Sequence, residues 1–193
     1  MKGTTIPLLL AICWALFGCA AEPASSNSAV EEQRSAEAQV DDLQARKRQR
    51  SEVEDFLDRH ARDSVDAINA GQRAIQASNP QSFYLDTKEI RELGVGPNNH
   101  YNYVAVLRYC EVTRCQVPSK STEMLVLVPR KQGGFNIAHS VQLGATGRIN
   151  LANDGVIEAI SVEFGPDDPP CCPSAQSIKH YKLEGEVLRQ AAH

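Results

Sequence analysis

The stretch Tyr101-Asn102-Tyr103-Val104-Ala105-Val106-Leu107-Arg108-Tyr109 decides the fold of this 193-residue chain. Successive side chains of an extended chain point to opposite faces, so Tyr101, Tyr103, Ala105, Leu107 and Tyr109 share one rich face. Asn102, Val104, Val106 and Arg108 make the poorer one. Met124 to Val128 is a continuous apolar run, suited to a central strand covered on both sides. Phe135, Ile137, His139, Val141 and Leu143 alternate again and fall on one face. Ile160, Val162 and Phe164 do the same after the turn signal Asn153-Asp154-Gly155. Gly133-Gly134 reads as a hairpin turn. Ile178 to Leu183 and Val187-Leu188 flank Glu184-Gly185-Glu186, a further hairpin signal.

Working upstream, residues 29 to about 78 are rich in Ala, Glu, Gln, Arg and Leu, all strong helix formers. Ser28-Ala29-Val30-Glu31 fits a capping box, which places a helix start there. Val53, Phe56, Leu57, Ala61, Val65, Ile68 and Ile75 recur at helical steps, so the second half of this segment has a face to bury. The first half offers only Val30, Val40 and Leu43, and the basic run Arg46-Lys47-Arg48-Gln49-Arg50 interrupts the stripe. It reads as a solvated segment paired with Glu52 and Glu54. Gly71 is a place where the helix can kink or divide, and Asn79-Pro80 ends it. One helix followed by antiparallel strands, with no second helix for parallel crossovers, is an α+β pattern. The expectation is a twisted antiparallel sheet of five or six strands with the amphipathic half-helix on one face.

The N-terminus carries an address. Lys2 and the apolar run from Ile6 to Phe17 are too short for a permanent membrane span and read as a signal-peptide core. The following Leu16-Phe17-Gly18-Cys19 resembles the lipobox of bacterial lipoproteins. That resemblance implies cleavage before Cys19 and acylation of its sulfur, and several acyl chains anchor far more firmly than one. Ala20, a non-acidic neighbour, implies sorting to the outer membrane facing the periplasm. Residues 20 to 28 are small and polar and form a flexible tether. The expected organisation is a signal peptide over 1–18, the lipidated Cys19 and tether over 19–28, a polar helical stalk over 29–52 and a disulfide-braced α+β domain over 53–193.

In an oxidising compartment Cys110, Cys115, Cys171 and Cys172 are disulfide candidates, since neither pair has structural zinc spacing. Local bridges and an exchange between the two pairs both fit the spacing. Cys171-Cys172 sits in Phe164-Gly165-Pro166-Asp167-Asp168-Pro169-Pro170-Cys171-Cys172-Pro173-Ser174. This segment, with Leu143-Gly144 and Asp154-Gly155 before it, resembles a C-terminal segment of secreted bacterial proteins and lipoproteins of unknown function. Their pattern is a Gly-Pro-Asp-Asp-Pro-x-Cys-Cys-Pro turn between two strands. The resemblance covers about the last 60 residues and implies a vicinal Cys171–Cys172 bridge, but it brings no activity.

Prolines fix φ and remove amide donors, so the turn is a rigid protrusion outside any sheet ladder. Pro166, Asp167, Asp168, Pro169, Pro170 and Pro173 form the candidate interaction loop. Two carboxylates fall short of the six to eight oxygens of a calcium site, and no metal or cofactor is expected. His139 reads as a hydrogen-bonded core residue, and His100 and His180 as exposed or half-buried. The formal charge of −4, or −5 once Lys2 is removed, gives no basis for nucleic-acid binding. No nucleophile elbow, zinc helix or phosphate loop is present in the sequence. The expected function is that of a non-enzymatic envelope lipoprotein that binds a protein or glycan. The alternatives are a small-ligand or metal-binding module with a pocket between helix and sheet, and an inhibitor of a wall-degrading enzyme.

Overall fold

The computed structural model describes residues 26–75, 82–96, 99–113, 115, 120–169 and 172–191. A single helix, α1 (Ser26–Ile75), precedes eight strands: β1 (Phe83–Val95), β2 (Tyr101–Glu111), β3 (Lys120–Pro129), β4 (Phe135–Gln142), β5 (Arg148–Leu151), β6 (Val156–Glu163), β7 (Ala175–Glu184) and β8 (Val187–Gln190). The fold is α+β. The strands form two four-stranded antiparallel meanders, β1-β2-β3-β4 and β5-β6-β7-β8, rather than the one sheet of five or six strands anticipated above.

The reason for two sheets lies in β2 and β3. Tyr101, Tyr103, Ala105, Leu107 and Tyr109 of β2, with Leu125 and Leu127 of β3, pack under Val53, Leu57 and Ala61 of α1. On the opposite side, Val104, Val106, Met124 and Val126 pack on Ile149, Ile157, Ala159 and Tyr181 of the second sheet. The face that looked poorer in β2 is therefore just as buried. A helix can cover only one side of a sheet, and the apolar other side requires a second layer.

The chain passes from one sheet to the other through Leu143-Gly144. Leu143 N donates to Thr122 O at 2.8 Å and Thr122 N to Gly144 O at 2.9 Å, which prolongs the β3–β4 ladder. Val162 N donates to Leu143 O at 3.1 Å, so the same two residues also tie to β6. Gly144 has φ +75°, and a Cβ built there would lie 2.2 Å from Val162 O. Only glycine fits where two sheets share one backbone segment.

Two side-chain amides fix α1 along the sheet. Gln49 Nε2 donates to Tyr101 O at 2.8 Å while Tyr101 N donates to Gln49 Oε1 at 3.0 Å. Asn69 makes the same two-point contact with Phe83, Nδ2 to O at 3.3 Å and N to Oδ1 at 2.6 Å. Twenty helical residues cover about 30 Å, so these pairs clamp the docked segment at both ends. Docking begins at Arg46, whose guanidinium lies 4.5 Å from the Tyr101 ring centroid, some residues before the apolar stripe starts at Val53. Arg50 Nη1 donates to Ile90 O at 3.0 Å and its Nε to Glu54 at 3.1 Å, so one side of the basic run docks while Lys47 and Arg48 stay exposed. The helix continues unbroken through Gly71. Residues up to Asp42 belong to a separate compact unit, and the side chains from 31 to 45 are exposed.

Candidate functional site

The loop between β6 and β7 is built around Asp168. Its Oδ2 accepts from Gly165 N and from Ser174 N, each at 2.6 Å, and its Oδ1 accepts from Ser174 Oγ at 2.6 Å. These bonds, the Ser174 hydroxyl foremost, hold the Asp168 carboxyl below the usual carboxylate range. The carboxylate thus draws together the two ends of the loop. Two of its three bonds come from backbone N–H groups and the third from the Ser174 hydroxyl, so it serves first to close the loop. Asp168 N donates to Gly165 O at 3.2 Å and Cys172 N to Pro169 O at 3.0 Å, adding two turns. Pro166, Asp167 and Pro169 are exposed on this frame, Pro173 is half-buried and Phe164 at its base is 42 % exposed. Pro170 and Cys171 lie outside the described residues, as do Cys19, the leader and the tether up to residue 25, whereas residues 26–28, expected in the tether, belong to α1.

Cys110 and Cys115 are bonded to each other with Cα atoms 5.0 Å apart, which removes any exchange between them and the Cys171/Cys172 pair. Cys172 is also disulfide-bonded, to a residue outside the described set. The Asp86 carboxylate approaches the Cys110 and Cys115 sulfurs. Sulfurs already bonded to each other are not the thiolate ligands that a metal site uses.

A buried polar cluster joins α1 to β3. The Glu123 carboxylate, facing the helix, accepts from Ser140 Oγ at 2.7 Å and from Tyr109 OH at 3.4 Å, and lies 3.3 Å from His60 Nε2. Ser64 Oγ is 3.4 Å from the same Nε2. Ser, His and Glu in contact suggest a nucleophile relay, but a relay uses the two ring nitrogens separately, one for the hydroxyl and one for the carboxylate. Here both partners address one nitrogen, so the cluster is a polar anchor between helix and sheet. Burial, with the Glu123 charge adding to it against the Ser64 bond, pushes the Tyr109 phenol up to about 12. Burial also raises Tyr103 to about 12.

His139 does not share a face with Phe135 and Ile137 as the alternation suggests. The β3–β4 ladder slips between Val126 and Leu127, where Ile137 opposes Leu127 but His139 opposes Val126. An extra residue in one strand turns every later side chain over. His139 therefore faces the second sheet, with its ring 5.7 Å from that of Tyr181. His100 is exposed, and the half-buried His180 lies 3.4 Å from Glu158. The Asn150 amide first, and His180 after it, hold the Glu158 carboxyl below its ordinary value.

Sequence reading missed His60, Glu123 and the pairing amides Gln49 and Asn69. Each is a polar residue that passes for surface until the opposing element is in place. A signal was available at Glu123, an acid one residue before the apolar run Met124–Val128, at a position a fully covered strand does not leave in water. Among the described residues no helix is long and apolar enough to cross a membrane. Comparison with family models, with curated proteins and with solved structures finds no match to this chain.

Proposed function

We propose that the protein is an envelope lipoprotein, acylated at Cys19, that acts as a non-enzymatic module binding an envelope protein or glycan through the loop 164–174. Its destination on this reading is the outer membrane, facing the periplasm, with the polar first part of α1 as spacer. The observation that carries the reading is the Asp168 clamp. A loop whose two ends are tied by a carboxylate that accepts three bonds, and whose prolines already restrict φ, loses little conformational entropy when a partner orders it. Pro166, Asp167 and Pro169 stand exposed on it, beside a large apolar ring at Phe164. A vicinal Cys171–Cys172 bridge would stiffen the same loop.

The test is site-specific photo-crosslinking of the lipidated protein in cells. A crosslinker at Asp167 is expected to trap one discrete envelope partner, a crosslinker at Glu89 on β1 none, and Asp168→Asn is expected to weaken the trapping. Equal trapping from both positions, or none from Asp167, overturns the loop as the contact surface. Continued acyl labelling of Cys19→Ser overturns the anchor.

A further inference from the structure

At the other end of β6 from that loop, the space between the two sheets opens into a cleft of about 360 Å³. This is within the size range of small-molecule sites, at its lower end. Leu93 and Val95 of β1 and Leu183 of β7 give it aliphatic walls, with Gly94, Gly96, Gly155 and Gly185 between them. Asn102 enters from β2, on the face that further along carries Val104 and Val106 into the inter-sheet core. It is 7 % exposed, and its side-chain amide has no hydrogen-bond partner among the described residues. A Cβ on Gly96 would come within 3.1 Å of Asn102 Oδ1, so the glycine leaves the amide uncrowded. Lys182 and Asp154 bring opposite charges to the lining.

A carboxamide that lines a cleft and bonds no group among the described residues keeps an acceptor and two donors for whatever enters the cleft. This protein twice gives such a group the same partner. Gln49 and Asn69 each bond the N–H and the C=O of one backbone residue at 2.6 to 3.3 Å. We propose that the cleft is a binding site for a short peptide of small aliphatic residues, and that Asn102 pairs with its backbone amide in this two-point manner. Leu93, Val95 and Leu183 offer aliphatic contacts that suit small aliphatic side chains, with open space over Gly94 and Gly185 between them. Lys182 meets a free carboxylate and Asp154 a free ammonium. Asp154 already accepts from Val156 N at 3.3 Å through Oδ1, which leaves Oδ2 for that role. A cleft and a loop at opposite ends of an eight-residue strand are about 25 Å apart, so this site stands or falls separately from the loop.

The probe is trialanine, titrated into the isotope-labelled full chain in detergent and followed by amide NMR. Saturable shifts are expected at Gly94, Gly96, Gly155, Gly185 and the Asn102 side-chain amide. Asn102→Leu is expected to weaken binding at least tenfold without lowering the unfolding midpoint, because the amide bonds no group among the described residues. Lys182→Ala and the doubly blocked N-acetyl-trialanine amide separate two sources of the same chemistry. If both weaken binding, the ligand is a free peptide or chain end, and if neither does, it is an internal chain segment. Absence of saturable shifts up to about 10 mM overturns the proposal. So does undiminished binding by Asn102→Leu, or a lowered midpoint, which would make the amide a structural one.

Discussion

The two parts of α1 share one backbone conformation and have opposite relations to water. Up to Asp42 the helix belongs to its own unit, and Val40 within it and Leu43 just after it are each 53 % exposed. From Arg46 onward Val53, Leu57 and Ala61 are sealed against β2 and β3, and Gln49 and Asn69 bond strand backbone. Ala, Glu, Gln and Arg satisfy helical propensity in both parts. The contrast teaches that propensity makes the helix whereas burial makes it part of a fold. Burying a leucine contributes roughly 1.5 to 3 kcal/mol, while the best single-residue difference in propensity among ordinary helix residues is below about 1 kcal/mol.

The strongest way to break this comparison is at Leu57. Leu57→Ala is expected to lower unfolding free energy by about 3 kcal/mol, as for fully buried leucines, whereas Val40→Ala should stay within about 0.5 kcal/mol of the parent. Equal midpoints in a denaturant titration would mean that the second part of α1 is not core. Phe56→Ala should fall below Leu57→Ala, at about 2 kcal/mol, since Phe56 is only partly buried beside Phe135.

A polar version of the same contrast is available. Gln49→Ala leaves both Tyr101 N and Tyr101 O without their partner and should cost about 2 kcal/mol. Gln33→Ala removes an exposed bond to Glu37 on the other part of the helix and should cost almost nothing. Thermal or chemical unfolding that ranks Gln33 with Gln49 would show the amide clamp to be incidental.

The mildest test uses pH. Tyr109, beneath the docked part of α1, is held neutral by burial, with a folded pKa of about 12 against about 10 unfolded. Its folded value is the higher, so its contribution is complete below pH 10 and is lost as pH rises from about 10 to 12. Phenolate absorbance should therefore include a late step near pH 12 shared by Tyr109 and Tyr103, and the Tyr109 share, read as the difference from Tyr109→Phe, should move toward 10 in Leu57→Ala. A single step near 10 in the parent would place Tyr109 in water. Limited proteolysis gives the same ordering, with cuts expected before Arg46 and few between Gln49 and Asn69.

Legibility in the sequence followed the range of the interactions. The β2 face with Tyr103 and Leu107, the covered β3 run and the turns at Gly133-Gly134 and Gly185 depend on neighbours within a few residues, and they could be read off directly. β1 was hidden because bulges between Leu85 and Thr87 and between Glu92 and Gly94 break its alternation, and because its outward positions carry charge as edge strands do. β5 is only four residues long and leaves almost no periodic signal. The segment 164–174 was legible through its prolines as a loop outside the strands, and it lies between β6 and β7. The pairing of Asp168 with both loop ends was not, since Asp167 and Asp168 look alike in one dimension.

By itself the sequence determined the α+β class, the docked stripe of α1 from Val53 to Ile68, though not Ile75, which is exposed, the local strands and a set of cysteines able to bridge, all consequences of side-chain period and backbone preference. Tertiary structure alone decided that the strands divide into two stacked meanders at Leu143-Gly144. It also decided that Cys110 pairs with Cys115 and that Glu123 and His60 meet 63 residues apart. Which polar groups are spent, as at Asp168 and Gln49, and which is left open, as at Asn102, depends on atoms brought together from separate elements. A one-dimensional pattern can report which face of an element is apolar, but not what will lie against it.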